Sequence, residues 1–248
     1  MKAMILAAGL GTRLRPLTND RPKALVEIGG RTLLEITLRR LASFGIGEVI
    51  INVHHFADRV IGYLKQHDHF GLRIEVSRED GLLLDTGGGL KKAAWFFLEG
   101  HTPEPFLLHN VDVISTIDLG RMLRWHRENN ALATLAVQLR DTSRRLLFDE
   151  HRQLCGRQAG NNAPEMVRDA TGIAPFAFSG IHVISPQLLD MMNEQGVFSI
   201  IHTYLRLAGE GRKILGFPAD GYYWRDVGRP EHITQAIGEI ERGRLELP

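Results

Sequence analysis

The 248-residue chain carries 30 Lys and Arg against 29 Asp and Glu, a formal net charge of +1, a balance that argues against a general nucleic-acid binder and against adhesion to anionic membranes. Its single cysteine, Cys155, excludes an internal disulfide and fits a reducing cytosol. No uncharged apolar run is long enough to span a bilayer, and Met1-Lys2 leads into a short strand rather than a signal peptide, so the expectation is one soluble, cytoplasmic α/β domain with a substantial core.

The first half alternates strand and helix. Ala3 to Ala8 reads as an apolar strand that stops at Gly9 and Gly11. Thr32 to Phe44 repeats apolar residues at Leu34, Leu38, Leu41 and Phe44, a helical stripe. Glu48 to Val53 is a β-branched strand, Phe56 to His67 a helix, Leu72 to Val76 a strand, and Gly89 to Leu98 a helix after a glycine run. Phe106 to Leu108 is a buried strand ending at Asn110-Val111-Asp112, followed by a helix over Leu119 to Glu128 and a strand over Ala131 to Leu139. Farther on, Arg145 to Asp149 and Phe176 to Ile184 read as strands, separated by a polar segment with Gly156, Gly160, Asn161, Asn162 and Pro164 that predicts a loop or hairpin over a site. Ile200, Ile201, Tyr204, Leu205 and Ala208 form a further helical stripe, Tyr222 to Val227 a short strand, and Glu231 to Arg242 a closing helix. No linker, low-complexity tract or internal repeat interrupts this pattern.

The stretch Ala7-Ala8-Gly9-Leu10-Gly11-Thr12-Arg13 carries the chemistry, with Lys23 close behind in Arg21-Pro22-Lys23-Ala24-Leu25. Two glycines allow backbone N–H groups to approach an anion. Arg13 offers a planar fork for phosphate oxygens, and Lys23 a compact charge. The loop is no P-loop, since no lysine follows at that spacing, and no dinucleotide fingerprint, since Leu14 stands where the third glycine belongs. Pro16 and Pro22 oppose an immediate long helix. Gly9 and Gly11 alone fit an ordinary turn equally well; the whole string is far more specific.

With Leu14-Arg15-Pro16-Leu17-Thr18 completing it, this string resembles the signature of the sugar-1-phosphate nucleotidylyltransferases. Four later segments match in order: Asp85-Thr86-Gly87-Gly88-Gly89-Leu90, Asn110-Val111-Asp112-Val113, Phe178-Ser179-Gly180-Ile181-His182-Val183 and Trp224-Arg225-Asp226-Val227-Gly228. The resemblance covers nearly the whole chain. It implies a doubly wound, Rossmann-like fold with a mixed, mostly parallel sheet, and a single domain without the β-helical extension of some relatives. Residues 1–130 would form a nucleotide half and 131–248 a sugar-phosphate half. It implies transfer of a nucleotidyl group from a nucleoside triphosphate to a sugar 1-phosphate with release of pyrophosphate, with Mg²⁺ as cofactor and no nucleic-acid or membrane partner, in a monomer or small homo-oligomer. Among subfamilies the chain is most similar to short bacterial uridylyltransferases of N-acetylmuramate 1-phosphate, an assignment to cell-wall metabolism, with mannose-1-phosphate guanylyltransferases second.

Carried over residue by residue, the resemblance places Ala8, Gly9, Gly11, Thr12, Arg13, Lys23, Gly87 and Gly88 at the nucleotide, Asn110 and Gly180 at the sugar, and Asp112 and Asp226 on the metal. Lys23 would stabilise the α-phosphate, Arg13 the departing pyrophosphate, and Asp112 would complete the catalytic set. Read alone, Asp112 fits an ordinary turn residue after a strand, and Asp226 a partner for Arg225. Val111 departs from the glycine usual before the first metal aspartate. Glu79 or Asp85 offers an acceptor to a guanine amine, whereas uracil is satisfied by backbone groups. The glutamate-lysine-proline sugar motif of larger relatives is absent between Leu139 and Phe178, and Arg144, Arg145, Arg157 and Arg168 lie where the sugar would be covered. His54-His55 and His67-Asp68-His69 do not form metal pairs, and Trp95, Phe96 and Phe97 read as core.

Overall fold

The computed structural model describes residues 1–100 and 102–248. Strand β1 (Lys2–Leu6) ends at two buried alanines and an open loop, followed by the hairpin β2 (Glu27–Ile28) and β3 (Arg31–Thr32). Helix α1 (Leu33–Ser43) starts at Thr32, whose hydroxyl accepts the Glu35 N–H at 3.0 Å, a cap the sequence supplies at the end of the hairpin. Then come β4 (Glu48–Val53), α2 (Ala57–Gln66), β5 (Arg73–Arg78), α3 (Asp85–Lys92) and α4 (Ala94–Leu98). The second half holds β6 (Phe106–Asn110), β7 (Val113–Ser115), α5 (Leu119–Glu128), β8 (Ala133–Gln138), β9 (Arg144–Phe148), β10 (Leu154–Ala159), β11 (Glu165–Met166) and β12 (Ala174–Ile184). The chain closes with α6 (Gln187–Asp190), α7 (Ile200–Gly209), β13 (Ile214–Pro218), β14 (Trp224–Asp226) and α8 (Pro230–Glu241).

Ten strands form one mixed sheet in the order β11-β10-β9-β12-β6-β1-β4-β5, with β8 against β12 and β13 beyond it. The stretch β5-β4-β1-β6 is parallel, as βαβ crossovers require, and β12 then turns the sheet antiparallel. Alternation along the strands sorts the core into two layers. Ala3, Ile5, Val49, Ile51 and Leu107 face α1, α2, α5 and α8, while Met4, Ile50, Phe106 and Leu108 face α3, α4, α6 and α7. This is the doubly wound arrangement expected of the sequence, in a single domain.

Local departures have identifiable causes. The helix after the glycine run begins at Asp85, in the left-handed region at φ 60°, and breaks at Ala93, so it starts earlier than the apolar stripe indicated. Trp95 points outward at 53% exposure, whereas Phe96 and Phe97 are core. The polar segment is the hairpin of β10 and β11, with Gly156 opposite Met166. A bulge interrupts β12 against β8: Phe178 pairs with Val137 and His182 with Leu135, leaving Ser179 and Gly180 outside the ladder.

Candidate active site

Beyond β1 the chain turns through Gly11, at φ 65°. The Thr18 hydroxyl and the Leu14 N–H both bond to the Gly11 carbonyl at 2.9 Å, and the fully buried Leu14 anchors the loop. A side chain at Gly11 would stand 3.0 Å from Thr18 Cγ2 and 3.1 Å from Lys23 Cβ, so this glycine lets the lysine turn come close. Gly9 has open space where a Cβ would stand. A polar strut holds the loop from below. Asn52 Oδ1 accepts the Ala7 N–H at 2.7 Å, Asn52 Nδ2 donates to Glu79 at 2.6 Å, and the other Glu79 oxygen accepts the Leu84 N–H at 2.9 Å.

The two aspartates meet because β14 pairs antiparallel with β7, Asp226 opposite Val113, while the Val227 N–H bonds to the Asp112 carbonyl at 2.9 Å. Lys23 Nζ pairs with Asp112 Oδ2. Gly228 marks where the charges converge: a Cβ there would lie 2.7 Å from Asp226 Oδ1, 3.0 Å from Arg13 Nη2 and 3.4 Å from Lys23 Nζ. Four residues from three distant segments thus share one small volume. Asp226 leaves Arg225 to Glu239, which it meets at 2.8 Å, and uses Oδ1 to accept the Gly228 N–H at 2.6 Å.

Two clefts open on this point. One, of about 370 Å³, is lined by Ala8, Gly9, Lys23, Asp85, Thr86 and Val197 among others. The second, of about 740 Å³, is lined by Arg140, Arg144, Arg157, Phe178, Trp224 and Asp226 among others. Asn110 and Asp112 line both and form the wall between them. Val111 is buried and its N–H bonds to the Leu6 carbonyl at 3.1 Å, an ordinary strand continuation. The residue in the glycine position is therefore compatible with the carboxylate placement.

Three sequence expectations change in detail. Gly87 and Gly88 do not face the smaller cleft. Their N–H groups donate to the Phe198 carbonyl at 2.9 and 3.3 Å, and a Cβ on Gly88 would sit 2.5 Å from the Gly196 carbonyl oxygen. These glycines seat α3 against the segment before α7, and Asp85 and Thr86 reach the cleft instead. Gly180, at φ 73°, lines the larger cleft, but its missing side chain admits Asn110, whose Nδ2 would lie 2.8 Å from a Cβ there. Arg168 is drawn away to Asp149 at 2.5 Å, while Arg144, Arg145 and Arg157 line the larger cleft. Thr12 and Arg13 stand exposed on the loop rim.

Sequence reasoning did not single out Asn52, Arg140, Trp224 or Gly228 as parts of the site. Trp224 and Gly228 carried a signal as the two ends of the Trp224-to-Gly228 motif; Asn52 and Arg140 become visible only when strands pair. Burial lowers the Arg140 guanidinium below its usual value, with Asp226 opposing. Beneath the site His109 and His182 sit on adjacent strands, and burial pushes them down to about 4 and about 3. They are neutral structural groups and no candidates for acid–base work.

Comparison with known proteins agrees with this geometry. The nucleotidyl transferase family profile matches residues 2–146. The chain is 37% identical over 238 residues to N-acetylmuramate alpha-1-phosphate uridylyltransferase of Caulobacter vibrioides, covering 92% of each protein. It is 31% identical to mannose-1-phosphate guanyltransferase of Pichia angusta, over 96% of this chain and 63% of that protein. In fold it superposes on a UDP-glucose pyrophosphorylase complexed with UDP-glucose, with TM-score 0.76 at 15% identity over 98% of this chain and 99% of the other. The inositol-1-phosphate CTP transferase of T. maritima gives TM-score 0.73 at 18% identity, over 99% and 98%. The profile match and the full-length relative at 37% identity establish that the chain belongs to the nucleotidyl transferase family.

Proposed function

We propose that the chain transfers uridylyl from UTP to the phosphate of N-acetylmuramate 1-phosphate, forming the UDP-sugar and pyrophosphate. The observation that carries the reaction class is the convergence of Arg13, Lys23 and Asp226 about Gly228, with Asp112 paired to Lys23, between two clefts. An oxygen of the sugar phosphate attacks the α-phosphorus; that P–O bond forms as the bond from α-phosphorus to the β-bridging oxygen breaks, and pyrophosphate departs with the electron pair. The attacking oxygen is already anionic, so the chain supplies alignment and charge rather than a base. Lys23 faces the α-phosphate, and Arg13, on the exposed rim, receives the leaving pyrophosphate.

Asp112, in the turn before β7, and Asp226, on β14 beside it, are an all-oxygen donor pair, with no third His, Cys, Asp or Glu clustered beside them among the described residues. This suits Mg²⁺, which takes one or two carboxylates and completes its six ligands with water and phosphate. Asp112 and Asp226 would hold such an ion, which would supply neutralisation of developing phosphate charge. The division into a nucleotide half, 1–130, and a sugar half, 131–248, is supported by the shared wall of Asn110 and Asp112, although Val197 lines the smaller cleft and so crosses it.

Uracil is favoured because Glu79 is buried, holds Asn52 and Leu84, and does not line the smaller cleft where a guanine amine would need it. The four arginines of the larger cleft, Arg140, Arg144, Arg145 and Arg157, suit an acceptor with a carboxylate beyond its phosphate. A second reading, guanylyl transfer to mannose 1-phosphate, draws on Asp85, which lines the smaller cleft and has one carboxylate oxygen bound to the Thr86 N–H at 2.6 Å. The reducing character implied by a single buried thiol supports action in the cytoplasm. Pyrophosphate release measured with Mg²⁺ across UTP, GTP, CTP, dTTP and ATP, against muramate, glucosamine, mannose and glucose phosphates, tests the reading. Turnover fastest with UTP and the muramate supports it. No turnover with any pair, despite nucleotide binding, overturns it in favour of a non-catalytic sensor.

A further inference from the structure

At the bulge in β12 two side chains of the larger cleft bond to backbone carbonyls, one on the last paired residue and one just beyond it. Arg140 Nη2 donates to the Phe178 carbonyl at 2.6 Å, and Trp224 Nε1 donates to the Ser179 carbonyl at 2.7 Å. The Arg140 guanidinium then lies over the Trp224 ring, 3.7 Å from its centroid. The backbone beneath is pinned as well. Gln138 Nε2 donates to the carbonyls of Ala219 and Tyr222 at 2.8 and 3.1 Å, and the Leu139 N–H to Asp220 at 2.6 Å, tying the end of β8 to the approach of β14. A stacked, carbonyl-bound arginine is fixed in both plane and position.

This fixed cation lacks an anion. Arg145 and Arg157, in the same cleft, have Asp141 at 3.5 Å and Glu165 at 2.6 Å. Arg140 has no carboxylate in ion-pair contact among the described residues, its Nε is buried without a partner, and the acid that acts on it from a distance is Asp226. A partly desolvated cation held without a counter-ion is costly unless a ligand supplies one. Trp224 lies on β14 two residues before Asp226, so the guanidinium faces the part of the cleft next to the carboxylate pair.

We propose that Arg140, stacked on Trp224 and hung from the β12 bulge, is the cation that receives the phosphate of the acceptor and aims its oxygen at the charged junction. The proposal rests on the transfer reading above for its kinetics, but its binding step stands apart from it. Arg144 and Arg157, on the hairpin side, are left for groups at the far end of the sugar.

The test uses the full chain with Mg²⁺, comparing the unaltered protein with Arg140→Met and Arg140→Lys. In Arg140→Met the KM for sugar phosphate rises on the order of 100-fold, as expected for one lost charge-assisted pair, while the KM for UTP stays within about twofold. The rise is equal for N-acetylmuramate 1-phosphate and N-acetylglucosamine 1-phosphate, and Arg140→Lys recovers about tenfold of it. Separately, inorganic phosphate titrated at constant ionic strength perturbs tryptophan emission in the unaltered protein and not in Arg140→Met. A rise confined to the muramate would overturn the proposal and assign Arg140 to the sugar carboxylate. An equal rise in KM for UTP and for the sugar phosphates, or a lower thermal midpoint with Arg140→Lys as poor as Arg140→Met, would make it structural. If the unaltered protein transfers to no sugar phosphate, the transfer reading fails, and the phosphate titration still decides the role of Arg140.

Discussion

Replacing Gly228 by alanine adds one methyl group at the meeting point of the site. The backbone there has no positive φ, so the substitution acts through space alone. The added carbon would lie 2.7 Å from Asp226 Oδ1 and 3.0 Å from Arg13 Nη2, against an ordinary contact of 3.4 Å or more. The carboxylate must therefore move by about 0.7 Å and the guanidinium by about 0.4 Å. A misplacement of about 1 Å in a positioned site costs on the order of 100-fold in rate, so kcat/KM should fall roughly 30-fold. Stability should change little. Crowding costs about 1 kcal/mol at the low end of overpacking, and the lost chain freedom of glycine offsets about 0.4–1 kcal/mol. Pyrophosphate release and a thermal melt on the same sample separate the two effects. Activity within about twofold of the unaltered protein, with an unchanged melt, would refute the claim that Asp226, Arg13 and Lys23 act from this one volume.

Gly9→Ala is the complementary case: with open space at its Cβ position and no positive φ, it should leave the melt unchanged and raise the KM for nucleotide, and an unchanged KM would remove Gly9 from the phosphate site. Lys23→Met should lower kcat/KM on the order of 100-fold or more, checked by pyrophosphate release at saturating Mg²⁺; a loss below about fivefold would contradict its place at the α-phosphate. Gly180→Ala forces a left-handed alanine against Asn110 and Val113, and urea unfolding should show a loss of about 2–3 kcal/mol. The buried histidines set an acid limit. His109, His126 and His182 are depressed to about 4, 4 and 3, so they stay neutral in the fold while the unfolded chain takes up protons below about pH 6.5. Their contribution is fully present above that pH and declines as pH falls toward 4, so the protein is less stable at pH 5.5 than at pH 7. Urea midpoints at pH 7 and 5.5 should differ accordingly, and His126→Gln should flatten the slope; a pH-independent midpoint would refute it.

Much of this architecture is local and therefore legible. Alternating strands, apolar stripes and paired glycines are properties of short windows, and they placed most of the elements and the loop after β1. The site itself depends on pairings across the chain. Nothing near Asp226 shows that β14 will lie against β7, and nothing near Arg140 shows that a bulge in β12 will offer it a carbonyl. The glycines after Asp85 illustrate the opposite difficulty. Their composition suits a ligand, but the close neighbour is Phe198, brought in by the packing of α3 on α7. Glu79 looked like an acceptor for a base because its carboxylate is polar; only the fold shows that Asn52 and Leu84 have already taken it.

The two-stranded sheet of β7 and β14 lies apart from the ten-stranded one. Its outer strand is clamped by α8, through Arg225 to Glu239 at 2.8 Å and Tyr223 to the same carboxylate at 2.5 Å. During synthesis the large sheet is complete in sequence once β13 has emerged, yet the second aspartate and Gly228 follow it. A ribosome-bound chain can therefore have every strand of its principal sheet before Asp226 and Gly228 have emerged. On the transfer reading proposed above, catalytic competence arrives last, with the helix that latches the small sheet shut, and a nick in the stretch between β13 and α8 is expected to silence the enzyme while leaving its principal sheet standing.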